Sequence, residues 1–133
     1  WDKQLNTNLR GSFLMTKMII DDLKSKQSGK IVFINSVAGL NPYKDSTAYV
    51  ASKHGLKGFS SALREELREH NIKVISVYPG AINTPLWDNI AADDIRESMM
   101  DVDNASDIIA NAIHSPGNCT TEDITIRRVA GDF

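Results

Sequence analysis

A chain of 133 residues suits one domain with a core of moderate size. It is 41% hydrophobic and 24% charged, the balance of a globular protein; 15 Lys and Arg against 17 Asp and Glu leave a net charge of −2 with the signs mixed, which argues against the basic patch of a nucleic-acid-binding surface. No apolar run approaches the ~18–20 residues that span a bilayer, and the first residues do not read as a signal peptide, so neither nucleic acid nor membrane is expected as a partner.

The chain opens on Trp1 without a methionine and already inside a helical pattern, as the later part of something longer would. The spacing Trp1, Leu5, Leu9, Phe13, Thr16, Ile19 and Ile20, Leu23 predicts an amphipathic helix over residues 1–26. Residues 13–20 are apolar on more than one side, which predicts burial on two faces. Asn8 stands beside the apolar stripe, where a helix-disfavouring amide is unexpected. Gly29 is the expected C-cap. Residues 30–35 form a continuous β-rich apolar run and read as a central parallel strand covered on both faces, with Ser36 at its carboxyl end.

A second long helix is predicted over residues 46–70, with Asp45 and Ser46 as N-cap chemistry and Tyr49, Leu56, Leu63 and Leu67 on its apolar stripe. A further stripe of small residues, with Gly55, Gly58 and Ala62, points to close contact with another element or subunit, because interior glycine costs a helix about 1 kcal/mol against alanine. Asn71 ends this helix. Residues 72–78 form the next strand, stopped by Pro79-Gly80. Residues 81–102 have loop and short-helix character and carry Leu86, Trp87, Ile90, Met99 and Met100. A helix over 104–115 is expected to start from Asp103 and to bury Ile108, Ile109, Ala112 and Ile113. Residues 123–129, with Ile124, Ile126 and Val129, make the last strand. The lone Cys119 has no internal disulfide partner, no metal-ligand set is apparent, and His54, His70 and His114 are given no role.

Helix, strand, helix, strand, helix, strand is the order of an α/β fold with a parallel sheet and helices on both faces. In such sheets ligands bind beyond the carboxyl ends of the strands. Ser36 and Pro79-Gly80 fall there, and Tyr49 begins the helix that follows one of those ends. Residues four apart lie one above the other on a helix, so Tyr49 and Lys53 are neighbours. A free tyrosine has a pKa near ~10, and a cation in contact lowers such a value, commonly by about 1–3 units, so the pair could serve as proton donor and acceptor. Taken alone, Tyr-x-x-x-Lys also arises by chance on many helix faces.

The order Asn8, Ser36, Tyr49-x-x-x-Lys53, Pro79-Gly80, with successive members of the first four 28, 13 and 4 positions apart, resembles the short-chain dehydrogenase/reductase family. So does the surrounding text, Asn8 to Phe13, Ile31 to Gly39 and Tyr78 to Thr84. The resemblance covers nearly the whole chain and corresponds to the later half of a family member. It implies a Rossmann-type doubly wound parallel sheet, of which residues 1–133 are the C-terminal catalytic part. It also implies hydride transfer between NAD or NADP and a small carbonyl or alcohol substrate. By the same resemblance Tyr49 is the acid/base, and Lys53 lowers its pKa and binds the nicotinamide ribose hydroxyls. Ser36 donates a hydrogen bond to the substrate oxygen. Asn8 loosens its helix and holds a water that links Lys53 to solvent. Pro79, Gly80, Ile82 and Thr84 line the nicotinamide, while Leu86 and Trp87 bind substrate, on a lid that also holds Ile90, Met99 and Met100.

The family's Thr-Gly-x-x-x-Gly-x-Gly turn, its residue that selects NAD or NADP, and its Asn-Asn-Ala-Gly stretch are absent from this chain, and so is the Gly-Gly ending common among acyl-carrier-protein reductases. Two readings follow: the catalytic half of a nicotinamide-dependent oxidoreductase, or a fragment or relative that acts only by association. Family members commonly pair through the helices corresponding to 1–26 and 46–70, so a homo-dimer or homo-tetramer is expected. A cytoplasmic location is expected as well.

Overall fold

The computed structural model describes residues 1–131. Three parallel strands, β1 (Gly29–Ile34), β2 (Ile72–Pro79) and β3 (Asp123–Ile126), form one sheet in the order β1-β2-β3. Ile31 stands opposite Val74, and Val77 opposite Ile124. Helix α3 (Thr47–Leu67) carries the chain from β1 to β2, and α5 (Val102–Ile113) carries it from β2 to β3. A parallel pair requires such crossovers, since no tight turn can return the chain to the same end of the sheet.

The two-residue period of the strands decides which helix meets which face. Ile31, Phe33, Ile72 and Val74 point one way and pack with Leu56, Leu63 and Leu67 of α3, with Leu9, Ile20 and Leu23 alongside. Ile75, Val77 and Ile126 point the other way, against Ile109 and Ile113 of α5 and against Met100. Ser76 falls among the first set, and its hydroxyl donates to Ser60 of α3 at 2.8 Å with both side chains fully buried.

One buried side chain ties three elements together. Arg64 of α3, 7% exposed, donates from Nε to the Val74 carbonyl at 2.9 Å and from Nη2 to the Glu122 carbonyl at 2.8 Å and to Asp123 Oδ1 at 2.9 Å. Lys73 does comparable work after α5, where its ammonium reaches the carbonyls of Ser115, Gly117 and Cys119. These carbonyls lie at and beyond the end of a helix, where the backbone has no intrahelical donor to offer them.

Several expectations from the sequence need correction. The first helix is not continuous: α1 (Asp2–Leu5) and α2 (Gly11–Lys26) are joined by a π-helical turn, Asn6–Arg10, with Asn8 at its centre. The helix ends on Gln27 in the left-handed region (φ 49°), not on Gly29. Gly29 opens β1, where a Cβ would lie 2.7 Å from Leu23 Cδ2. The expected central strand is an edge: β1 pairs with β2 alone, and Ile34 is 54% exposed. The apolar middle of α2 is likewise uncovered, with Phe13, Met15, Met18 and Ile19 all exposed and Met18 at 78%. Among the described residues no strand lies across β1 from β2, so that side of the sheet is unpaired.

The N-cap of α5 is Asp101, whose carboxylate accepts from the N–H groups of Asp103 and Asn104 at 3.0 Å each; Asp103 already lies inside the helix. The last strand stops at Ile126 and leaves Val129 fully exposed. Ile126 stands opposite Pro79, the last residue of β2, and the Gly80 N–H still reaches the Ile126 carbonyl at 2.8 Å. Of the two glycines expected to meet another element or subunit, Gly55 meets Leu9, whose Cδ2 would lie 2.7 Å from a Cβ there, while none of the described residues approaches Gly58.

Candidate active site

Beyond the carboxyl ends of β1 and β2 lies a pocket of about 650 Å³. It receives Ser36 from the end of β1, Tyr49 from the first turn of α3, and Pro79, Gly80, Ile82 and Thr84 from the segment after β2. Leu86 and Trp87 close one side. Ser36, Tyr49, Pro79, Gly80, Ile82, Thr84, Leu86 and Trp87 thus share one pocket, which Lys53 does not line.

Ser36 leaves the strand in an extended conformation and caps the 3₁₀ turn Val37–Gly39, its Oγ accepting from the Ala38 N–H at 3.1 Å. An oxygen already engaged as an acceptor keeps its own O–H to donate, which suits a group that must hydrogen-bond a substrate oxygen. Tyr49 sits one turn above Lys53 on α3, and the Lys53 ammonium lies 5.7 Å from the centre of the Tyr49 ring, within cation–π range.

Lys53 is behind the pocket wall. It is 9% exposed, and Nζ donates to the carbonyls of Ile34 at 3.2 Å and Asn35 at 3.1 Å. Two of its three N–H donors are thus spent on the end of β1. Burial pushes its pKa below the ordinary lysine value of 10.5, because water no longer solvates the charged form.

Asn8 also stands back from the pocket. Its Nδ2 donates to Ser52 Oγ at 3.0 Å and to Gln4 Oε1 at 2.9 Å, and Ser52 Oγ donates in turn to the Tyr49 carbonyl at 2.7 Å. The π turn therefore braces the first turns of α3 through Ser52, one residue from Lys53. A π turn in an otherwise regular helix is often associated with function, and an amide at its centre is the irregularity the sequence displayed.

Sequence reasoning missed Asn35. It is 4% exposed, its Nδ2 donates to the Lys53 carbonyl at 3.2 Å, and its own carbonyl takes the Lys53 ammonium, so it grips that residue at both ends. Its Oδ1 is buried with no partner. Gly39 makes this junction possible: a Cβ there would fall 2.9 Å from both Asn35 Oδ1 and the Lys53 carbonyl oxygen. The available signal was an amide ending an otherwise apolar strand. Tyr43, Lys44 and Arg128 also line the pocket and were not singled out.

The segment over the site is ordered by Arg96, which donates to Asn83 Oδ1 at 3.0 and 3.1 Å and to Asp88 Oδ1 at 2.7 Å. Backbone bonds from Met100 N to Ala81 O at 3.0 Å and from Asn83 N to Met100 O at 2.9 Å fix its base. Met99 is buried, Met100 packs against the sheet and Ile90 is exposed; of that set Leu86 and Trp87 line the pocket.

The chain is similar to known proteins over most of its length. A sepiapterin reductase from Chlorobaculum tepidum is 32% identical over 133 residues, 100% of this chain and 54% of its own length. An acetoin dehydrogenase from Enterobacter cloacae superposes with a TM-score of 0.80 at 27% identity, covering 95% of this chain and 53% of that one. A 4-hydroxyisoleucine dehydrogenase mutant solved with NADH and succinate superposes with a TM-score of 0.83 at 25% identity, covering 97% and 59%. The chain spans about half the length of the first curated relatives it matches. The family model described as short chain dehydrogenase matches residues 1–95, and with that match the chain belongs to the short-chain dehydrogenase family.

Proposed function

We propose that this chain is the catalytic part of an oxidoreductase that moves a hydride between a nicotinamide cofactor and a carbonyl or alcohol substrate. One observation carries the reading: Ser36 and Tyr49 reach a single pocket from different elements, with the Lys53 ammonium buried behind the Tyr49 ring. In the reducing direction the Ser36 hydroxyl donates to the substrate carbonyl oxygen, and the Tyr49 phenol delivers the proton as negative charge develops there. In the oxidising direction Tyr49 removes the alcohol proton. Lys53 keeps a cation against the Tyr49 ring, and Asn8, Ser52 and Asn35 hold the helix and strand end that carry it.

The residues present fit one end of such a cofactor. Pro79, Gly80, Ile82 and Thr84 supply a largely apolar wall for a flat ring, and the remaining Lys53 donor suits a ribose hydroxyl. No glycine-rich turn in this sequence offers a helix N-terminus to a pyrophosphate. The cofactor, when bound, supplies or accepts the hydride. The NADH named with the 4-hydroxyisoleucine dehydrogenase supports a nicotinamide without choosing between NAD and NADP here. The free thiol Cys119 suits a reducing, cytoplasmic setting. An assay of the full-length protein with NADH and NADPH against a panel of small aldehydes and ketones tests the proposal; turnover with at least one pair is expected, and none with any would refute it.

We further propose that the protein assembles as a homo-dimer or tetramer through α2 and α3. Exposed Phe13, Met15 and Met18 on one helix, and the small exposed Gly58 and Ala62 on the other, form apolar surface suited to close helix packing. Ala62→Arg is expected to dissociate the assembly, read by light scattering as a drop in mass. A monomeric wild-type protein would contradict this.

A further inference from the structure

We infer that Asn35 is the positioning residue of this site: its amide holds the Lys53 ammonium at the Tyr49 ring, at a cost to the stability of the fold. The inference rests on the oxidoreductase reading above. Asn35 directly precedes Ser36, and its polar groups converge on one tie. Its N–H donates to the Val77 carbonyl at 2.8 Å, which pins it to β2. Its carbonyl accepts from Lys53 Nζ at 3.1 Å, and its Nδ2 donates to the Lys53 carbonyl at 3.2 Å. The last two bonds close a ring through two residues, one at the end of β1 and one on α3. Such a ring fixes the spacing of helix and strand end on both sides of the lysine side chain. With that spacing it fixes the ammonium, 5.7 Å from the centre of the Tyr49 ring.

Packing alone does not call for an amide there. Lys53 lies inside α3, where its carbonyl already accepts from the helix's own N–H, so it would not be stranded without Nδ2. Asn35 is buried, and its Oδ1 has no partner among the described residues. A buried oxygen without a partner costs stability, and an apolar side chain of the same branched shape would not bear that cost. Gly39 is fitted to the amide as well, since a Cβ there would fall 2.9 Å from Oδ1 and 3.1 Å from Nδ2. A side chain kept against stability beside the reacting groups is what a trade of stability for activity looks like.

The full-length protein is compared with Asn35→Leu, which keeps the branched shape, and with Asn35→Ala, which cannot clash if leucine is too bulky beside Gly39. Both variants keep the main-chain groups of residue 35. With an aldehyde that the wild type turns over, kcat is expected to fall about ten- to hundredfold in both, the loss that follows a displaced reacting group. The KM for that aldehyde is expected to hold, since Ser36 stays fixed on the Ala38 N–H. Asn35→Leu is expected to melt at or above the wild-type temperature and Asn35→Ala below it, so that activity follows the amide and not stability. Acetylation by acetic anhydride, read by mass spectrometry on protein without cofactor or substrate, tests the placement directly. Lys53 is expected to react about two- to tenfold faster in both variants, the effect of one lost hydrogen bond. Lys73, held by the carbonyls of Ser115 and Gly117 elsewhere in the fold, is expected to react at the wild-type rate. Wild-type kcat, or wild-type labelling of Lys53, in a folded variant would overturn the inference. So would an activity loss that tracks melting temperature with Lys53 and Lys73 both reacting faster, or the failure of both variants to fold. A wild type that turns over no carbonyl would refute the oxidoreductase reading instead, and the labelling still decides whether Asn35 places Lys53.

Discussion

Tyr49→Phe in the full-length protein is expected to lower turnover by about 10²–10⁴-fold, the range lost when a positioned proton donor is removed. The substitution takes away one hydroxyl and leaves the rest of the local structure. The ring remains for the Lys53 ammonium to lie against, and the bond from Ser52 Oγ runs to the main-chain carbonyl of residue 49. Ser36 keeps its place, because its Oγ is fixed by the Ala38 N–H. Binding should change little, so the loss belongs in kcat and not in KM. Circular dichroism and melting temperature should match the wild type. Near-normal turnover in this variant would remove Tyr49 from the chemistry.

Arg64→Leu is expected to destabilise the protein by about 2–4 kcal/mol, read from urea denaturation with an unchanged slope. Leucine keeps apolar bulk against the sheet but satisfies neither the Val74 nor the Glu122 carbonyl, and it strands Asp123. Asp123 is half exposed, so water recovers part of its loss and the figure stays below that of a fully buried pair. The site should feel the change. β3 is held to β2 through this arginine, and the Gly80 N–H bonds the Ile126 carbonyl at 2.8 Å beside the pocket. A loss of less than about 0.5 kcal/mol, the ordinary surface value, would show that the tie contributes little.

The order of elements, the parallel sheet and the meeting of Ser36, Tyr49, Pro79 and Gly80 were legible in the sequence, because each rests on a local rule: hydrophobic period, turn chemistry, or position at a strand end. Asn8 was legible as an anomaly and proved to centre a π turn. What was not legible depends on neighbours distant in the chain. Gly29 read as a helix cap, yet the close approach of Leu23 explains it. The extent of the last strand could not be read from Ile124, Ile126 and Val129, because it depends on the partner strand, whose last residue, Pro79, stands opposite Ile126. β1 read as central because its residues are apolar on both faces, a composition that states what a strand tolerates and not what flanks it in a given chain. Arg64 was not singled out, since nothing local marks a guanidinium that will be buried against two carbonyls.

The most direct measurement of the central claim follows the hydride itself. The full-length protein is supplied with reduced nicotinamide cofactor deuterated at C4 on both faces and with an aldehyde it turns over, and the product alcohol is analysed by mass spectrometry and proton NMR. The account predicts one deuterium on the carbinol carbon, with the oxygen proton drawn through Tyr49 from solvent, and label incorporation that collapses in Tyr49→Phe in step with turnover. An alcohol formed without deuterium at that carbon, or labelled product made equally well by Tyr49→Phe, would contradict it.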